Sequence, residues 1–377
     1  MNIKDLRKAL DETDRELVRQ YEKRLEITGE IASSKIESGK PVLDQERELQ
    51  VLSQAASQVH SPELKNHVRA LYRHIMNVSR SRQYEKIAAH HCEDFGFEKA
   101  KLQTAGARVV YQGVEGAYSW QAVSSYFGTT DQAYHVPSFE DVMKEVQSGR
   151  ADYGVLPAEN SSTGIITQVY DLLNLYDIYI IAKYVVRVKH ALLGIPGTEL
   201  SDIRRVYSHP QGLMQCGSFL SEHADWEQIS MKNTAVSARK VLEDRDKTQA
   251  AICSPKAARI YGLQILKESI SDNDNNSTIF LILGNKKCFE KDANEISITF
   301  TLSHETGSLY QILGFINNNN LNMTKIESRP IPGEKWKYRF FINFNGSLSD
   351  SSVRGALTGI REETENFRIL GNYIRVN

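Results

Sequence analysis

The feature that most constrains this chain is an apolar seam at its start. Ile3, Leu6, Leu10, Thr13, Leu17, Gln20, Arg24, Ile27 and Ile31 recur at alternating spacings of three and four, the period of a helix that packs along its length against another. The spacing predicts one continuous helix over residues 3–38, ~50 Å long at 1.5 Å per residue. Gly39-Lys40-Pro41 ends it, a second helix runs from Asp44 to about Val59, and Ser61-Pro62-Glu63 reads as the cap and first turn of a third that reaches about Ala89. Three helices of such unequal length cannot bury the whole seam, so this segment is expected to dimerise.

The rest of the chain changes period. Short β-type runs such as Val109-Val110-Tyr111, Tyr153-Gly154-Val155-Leu156, Ile178-Tyr179-Ile180-Ile181 and Ile279-Phe280-Leu281-Ile282 alternate with helical stretches, an α/β reading for residues 107–285. Residues 294–377 then give strand (Ile296 to Leu302), helix (Ser308 to Ile316), two strands (Met323 to Ser328, Tyr338 to Phe344), helix (Ser351 to Glu363) and strand (Phe367 to Arg375). That βαββαβ order is a ferredoxin-like α+β plan. With the all-α segment 1–90, a chain of 377 residues is expected to be multidomain.

Charge excludes several function classes. Lys and Arg total 46 against 47 Asp and Glu, so no global field draws the chain to nucleic acid or a membrane surface, and anion binding must be local. The charged start Asn2-Ile3-Lys4-Asp5 lacks the apolar stretch of an export signal, and no apolar run approaches the roughly 20 residues of a membrane span. Cys92, Cys216, Cys253 and Cys288 are scattered without CxxC spacing, against a disulfide framework or a zinc site. A soluble, cytoplasmic protein is the expectation. Without a phosphate-binding glycine loop or dinucleotide fingerprint, a reaction free of cofactors and metals is the default.

Arg24 occupies a seam position that calls for an apolar residue, and a buried cation needs an anionic partner. Lys35 follows eleven residues later on nearly the same face, so both side chains can address one ligand. Arg7 lies 17 residues before Arg24, ~25 Å away along the helix, and can join them only from another chain. Asp44, Arg47 and Glu48 share a face of the second helix, and Ser79 and Gln83 share one of the third. Each pair alone reads as a solvated face. Together, Arg7, Arg24, Lys35, Asp44, Arg47, Glu48, Ser79 and Gln83 resemble the all-helical class of chorismate mutase. The resemblance implies an interlocked dimer in which the first helix lends an arginine to the other subunit. It further implies that Arg7, Arg24 and Arg47 clamp the two substrate carboxylates, that Asp44 and Glu48 meet the ring hydroxyl, and that Lys35 and Gln83 face the ether oxygen. Ser79 completes the set.

In the α/β segment, Gly113-Val114-Glu115-Gly116-Ala117-Tyr118-Ser119, Glu159-Asn160-Ser161-Ser162-Thr163-Gly164 and Tyr207-Ser208-His209-Pro210-Gln211 each read as a hydroxyl-bearing helix start suited to a carboxylate. Singly, each is equally an ordinary capped helix. With Ser277-Thr278-Ile279-Phe280 they make residues 107–285 resemble prephenate dehydratase, a two-lobed fold like type 2 periplasmic binding proteins. The resemblance implies Thr278 as the essential hydroxyl donor, with Ser119, Glu159, Asn160, Ser161, Thr163, Ser208 and His209 around the substrate. Two positions depart from that family: Ile279 stands where it typically has arginine, and Trp120 where histidine is common.

Gly307-Ser308-Leu309 and Glu327-Ser328-Arg329-Pro330, with Trp336, Tyr338 and Phe340, resemble the ACT domain fused to prephenate dehydratases, with Ser308 in place of an alanine. The resemblance implies that paired domains bind L-phenylalanine at these two segments and inhibit the dehydratase. All three modules in this order imply an enzyme converting chorismate to prephenate and prephenate to phenylpyruvate under feedback control. The two departures keep open an active mutase fused to a module that mainly binds ligand; a non-enzymatic phenylalanine or prephenate sensor is a third reading, disfavoured by the complete mutase set.

Overall fold

The computed structural model describes residues 2–128, 131–331, 333–334 and 336–375. The seam forms one helix, α1 (Ile3–Ser38). Asn2 Oδ1 accepts from the Lys4 and Asp5 amides while the Asp5 carboxylate accepts from the Asn2 amide, a reciprocal cap. Gly39 closes the other end in the left-handed conformation (φ 66°). Asp44 caps α2 (Gln45–Ser57), and α3 (Lys65–His90) follows a 3-10 turn, Pro62–Leu64. Ser61 makes no side-chain cap bond there, so the expected first α-helical turn is wound tighter.

Residues 3–20 of α1 are exposed on every side. From Tyr21 onward one face of α1 packs on α3, with Ala32 buried. Leu6, Leu10, Leu17, Ile27 and Ile31 of the seam stay exposed in the single chain.

The chain forms two compact units, residues 1–97 with 294–369 and residues 98–293 with 370–377. In the first, α3 packs on both helices of the βαββαβ segment, Ser308–Asn318 and Ser351–Glu362. The four strands of the βαββαβ segment run in the order Met323–Pro330, Tyr338–Asn345, Glu295–Leu302, Glu365–Tyr373, the ferredoxin-like arrangement. All eight residues of Glu295–Leu302, a strand flanked by a neighbour on each edge, are buried.

The second unit has two lobes, each built on a sheet. One orders its strands Ala133–Val136, Val109–Gln112, Tyr153–Asn160, Ser277–Gly284, Tyr179–Arg187, with Gly164–Ile165 added on Tyr153–Asn160. The other orders Gln264–Lys267, Ala191–Gly194, Gln249–Cys253, Arg205–Ser208, Glu227–Ser230. The chain passes between lobes twice, after Arg187 and after Lys267. A loop of the first lobe seats on the second: Tyr261 Oη donates to the Glu115 carbonyl (2.6 Å), and a Cβ at Gly116 (φ 85°) would sit 3.1 Å from the Tyr261 ring. No helix among the described residues is long and apolar enough to cross a membrane.

Candidate functional site

In the first unit the predicted residues gather into two groups. Arg24 donates from Nη1 to Ser79 Oγ (2.5 Å), Ser79 Oγ donates to the Ile75 carbonyl (2.8 Å), and Gln83 Nε2 donates to the Ser79 carbonyl (3.2 Å). The partner of the seam cation is thus a buried hydroxyl rather than an anion of the same chain. Gln83 Oε1 is buried with no hydrogen-bond partner among the described residues. Gln83 also lines a cavity of about 600 Å³ between α1 and α3, with Leu25, Gly29, Ala32 and Lys86.

The second group lies around Lys35, whose Nζ donates to the Val42 carbonyl (2.6 Å). Burial lowers the Lys35 pKa, against the opposing pull of the Asp44 and Glu48 charges nearby. Arg24 and Lys35 therefore turn to different partners of their own chain, not to each other. Asp44 Oδ1 is occupied by the Arg47 amide at the head of α2 (3.0 Å), and the exposed Arg47 guanidinium reaches Gln50 (3.5 Å). Arg7 is exposed, and its side chain makes no hydrogen bond or ion pair among the described residues.

Glu48 carries an unforeseen partner. Its carboxylate accepts from Arg80 Nη1, and Arg80 Nε donates to Glu363 (2.7 Å). Arg80 is only 3 % exposed. Burial works against its charge, but Glu363 and Glu48 outweigh burial and hold its pKa above the ordinary value. An arginine in a polar helix reads as surface from sequence, and no spacing rule links it to Glu363.

In the second unit a cleft of about 430 Å³ opens between the lobes. Ser119, Asn160, Thr163, His209 and Thr278 line it; Glu159, Ser161 and Ser208 do not. Residues 159–164 are no helix start, because Gly164–Ile165 pairs back on Glu159 and Asn160 as a hairpin and the helix begins only at Thr167. Ser161 serves that turn, its Oγ accepting from the Ser277 amide (2.9 Å). Ser208 is fully buried and donates to the Ile252 carbonyl (2.9 Å), bracing two strands of the second sheet.

Asn160 organises one wall of the cleft. Its Oδ1 accepts from the Ser162 and Thr163 amides (both 3.0 Å), which fixes which end of the side chain is oxygen. Its Nδ2 therefore faces Thr278 and donates to Oγ1 (2.9 Å), as well as to Asn276 Oδ1 (2.8 Å). With one lone pair of Thr278 engaged, the hydroxyl proton remains available to a molecule in the cleft. Thr278 and Phe280 face the cleft; Ile279, between them on the strand, does not line it. Trp120 packs on the core of the first lobe. Neither departure from the expected pattern removes a group from the cleft lining.

His209 Nδ1 accepts from the Gln211 amide (3.2 Å), capping Pro210–Met214 and leaving Nε2 to carry the proton. Burial lowers its pKa, as it does that of His190, which hydrogen-bonds Gln215 (2.9 Å) and Tyr118 (3.2 Å) at the cleft. Two further groups escaped the sequence reading, Lys232 and the start of the helix Thr234–Asp244, capped by Asn233. This helix and Tyr118–Phe127 both begin at the cleft, where first-turn amides and helix dipoles favour carboxylates. The Asn233-Thr234 pair was the available signal.

In the ferredoxin-like segment, Gly307 precedes Ser308–Asn318 in the left-handed conformation (φ 87°), and Ser308 Oγ donates to the Ser303 carbonyl (3.2 Å). Leu309 is half-buried in that helix's first turn, and Ser308 lines a cavity of about 320 Å³ with Thr301, Glu305 and Gln311. Glu327, Ser328, Arg329 and Pro330 lie on the outer strand Met323–Pro330 and are not part of that cavity.

The family model for chorismate mutase type II matches residues 6–84, and that for prephenate dehydratase matches residues 109–288. The bifunctional chorismate mutase/prephenate dehydratase of Escherichia coli K12 is 30% identical over 374 residues, 98% of this chain and 95% of the relative. A solved prephenate dehydratase from Arthrobacter aurescens, in complex with L-Phe, is 30% identical with a TM-score of 0.65, covering 71% of this chain and 90% of that one. A structure described as a novel type of quorum-quenching acylase is similar at 28% identity and a TM-score of 0.66, covering 71% and 98%. The chain belongs to the family of bifunctional chorismate mutase/prephenate dehydratases.

Proposed function

We propose that the chain rearranges chorismate to prephenate with residues 1–90, converts prephenate to phenylpyruvate with residues 107–285, and senses L-phenylalanine with residues 294–377. What supports this reading is that one chain, matched over 98% of its length by a bifunctional relative, joins Arg24 to Ser79 in one unit and gathers Ser119, Asn160, Thr163, His209 and Thr278 around one cleft in the other. The rearrangement is pericyclic and needs no acid, base or nucleophile. It needs the substrate held in a reactive posture and a cation near the breaking ether bond. Arg7 from a second chain, Arg24 and Arg47 hold the carboxylates, Glu48 and Asp44 take the ring hydroxyl, and Lys35 and Gln83 meet the ether oxygen. The exposed seam and the Gln83 oxygen, without a partner among the described residues, support a site closed by a second copy of α1.

In the cleft, the ring carboxylate leaves as carbon dioxide, its bonding pair enters the ring, and the hydroxyl leaves as water with a proton delivered through Thr278. Ser119, Thr163, His209 Nε2 and the two helix starts position the carboxylates. Chorismate given to the full chain is expected to yield phenylpyruvate, and Thr278→Ala is expected to stop the reaction at prephenate. Prephenate accumulating with the unaltered chain would instead identify an active mutase with a ligand-binding cleft, and no chorismate consumption would leave the sensor. Gly307, Ser308, Leu309 and Glu327 to Pro330 take the effector between paired domains. L-phenylalanine is then expected to raise the melting temperature by mass action, and no shift at high ligand would remove the effector assignment.

A further inference from the structure

The third helix of the mutase segment is gripped from the C-terminal segment by a set of buried polar contacts. Asn77 Nδ2 donates to the Gln311 carbonyl (2.9 Å), Asn318 Nδ2 donates to Asn77 Oδ1 (2.8 Å), and Asn319 Nδ2 donates to Ser81 Oγ (3.0 Å). Tyr84 packs edge-on against Phe315, with ring centroids 5.7 Å apart. Within this grip, Arg80 bridges the two segments with charge: Glu48 of α2 on one side, Glu363 just past the helix Ser351–Glu362 on the other. Glu363 lies far outside the chorismate mutase match, which ends at residue 84.

We propose that Arg80 is a positioning residue of the mutase reaction, anchored by Glu363, so that the C-terminal segment completes the mutase site through Glu48. A glutamate has three side-chain torsions, and one that must accept a single hydroxyl gains most from a rigid, planar partner. The Arg80 fork provides that partner only while its own plane is fixed, and the hydrogen bond from Nε to Glu363 fixes it. Arg80 does not reach the substrate; its effect travels through the Glu48 carboxylate.

The inference rests on the reading of Glu48 as a mutase residue, and turnover of chorismate by the unaltered chain checks that reading separately. Glu363→Gln keeps the shape and removes the charge. It is expected to lower mutase kcat by about 10–100-fold, as small displacements of reacting groups do, with KM changed far less. Conversion of added prephenate, which belongs to the other unit, is expected to stay unchanged, and an unaltered circular-dichroism melting curve reports a folded chain. In a Glu48→Gln background, Glu363→Gln is expected to cost nothing further, because groups acting through one another are not additive. A merely structural Glu363 would give additive losses. Should Glu363→Gln fail to fold, Glu363→Asp, with the charge on a shorter arm, enters the same cycle. Absence of chorismate turnover in the unaltered chain sinks the reading and the inference together. Normal turnover that Glu363→Gln leaves intact, or additive losses in the cycle, overturns the inference alone.

Discussion

Asn160 shows how one amide can set a hydroxyl: two backbone amides claim its oxygen, so its nitrogen must face Thr278. The sequence placed Asn160, Thr163, Ser119, His209 and Thr278 at the cleft because their neighbours follow a recognisable pattern. It misassigned Ser208 and Ser161 because a hydroxyl reads alike whether it meets a ligand or, as here, the Ile252 carbonyl and the Ser277 amide. The histidines at the cleft carry a pH consequence. Burial holds His190 and His209 below the ordinary histidine value. As pH falls below about 6.5 the unfolded chain takes protons that the folded chain refuses, so stability drops until the folded values are reached and then levels. Denaturant midpoints between pH 7.5 and 5 are expected to fall on the acid side, at no more than about 1.4 kcal/mol per pH unit for each histidine. His190→Gln is expected to flatten that slope, and an unaltered slope would exclude His190 as a source.

Among the elements, α1 to α3 and the ferredoxin-like strands were legible because a three-four or alternating period repeats often enough to outweigh local noise. The pairing of α3 with the helix Ser351–Glu362 was not, since no periodicity links segments so far apart in sequence. Its enabling residues are Gly355 and Gly359. A Cβ at Gly355 would lie 2.6 Å from Glu85 Cγ and 2.9 Å from its Cα; one at Gly359 would lie 2.9 Å from both Phe315 and Tyr84. Replacing glycine by alanine inside a helix ordinarily stabilises by about 0.5–1 kcal/mol. At Gly355 the clash with backbone reverses the sign, and Gly355→Ala is expected to cost about 1–3 kcal/mol in denaturant unfolding. Gly29 of α1, with open space around its Cβ direction, is the control, and Gly29→Ala is expected to raise stability by about 0.5–1 kcal/mol. Equal effects at both positions would mean that the two helices do not meet as closely as described.

At the scale of the whole molecule, the decisive fact is what one chain leaves uncovered. The first half of α1 is exposed all round, and Leu6, Leu10 and Leu17 form an apolar stripe next to Arg7. A second copy of α1 would meet that stripe with a matching period. If two α1 helices interlock, Arg7 of each completes the pocket holding Arg24 of the other, and neither arginine need serve its own chain. Chains carrying Arg7→Ala are then inactive as mutases alone, because every pocket lacks its donated arginine; chains carrying Arg24→Ala are inactive for the complementary reason. Mixing them under conditions of subunit exchange yields mixed dimers in which one pocket has lost both arginines and the other has both intact. Random exchange makes half of all dimers mixed, so about a quarter of the original pockets, and of the mutase rate, is expected to return. No recovery with mixed dimers demonstrated by mass would mean that Arg7 acts within its own chain or not at all. The ~25 Å that separates it from Arg24 along a single helix leaves little room for the first of those alternatives.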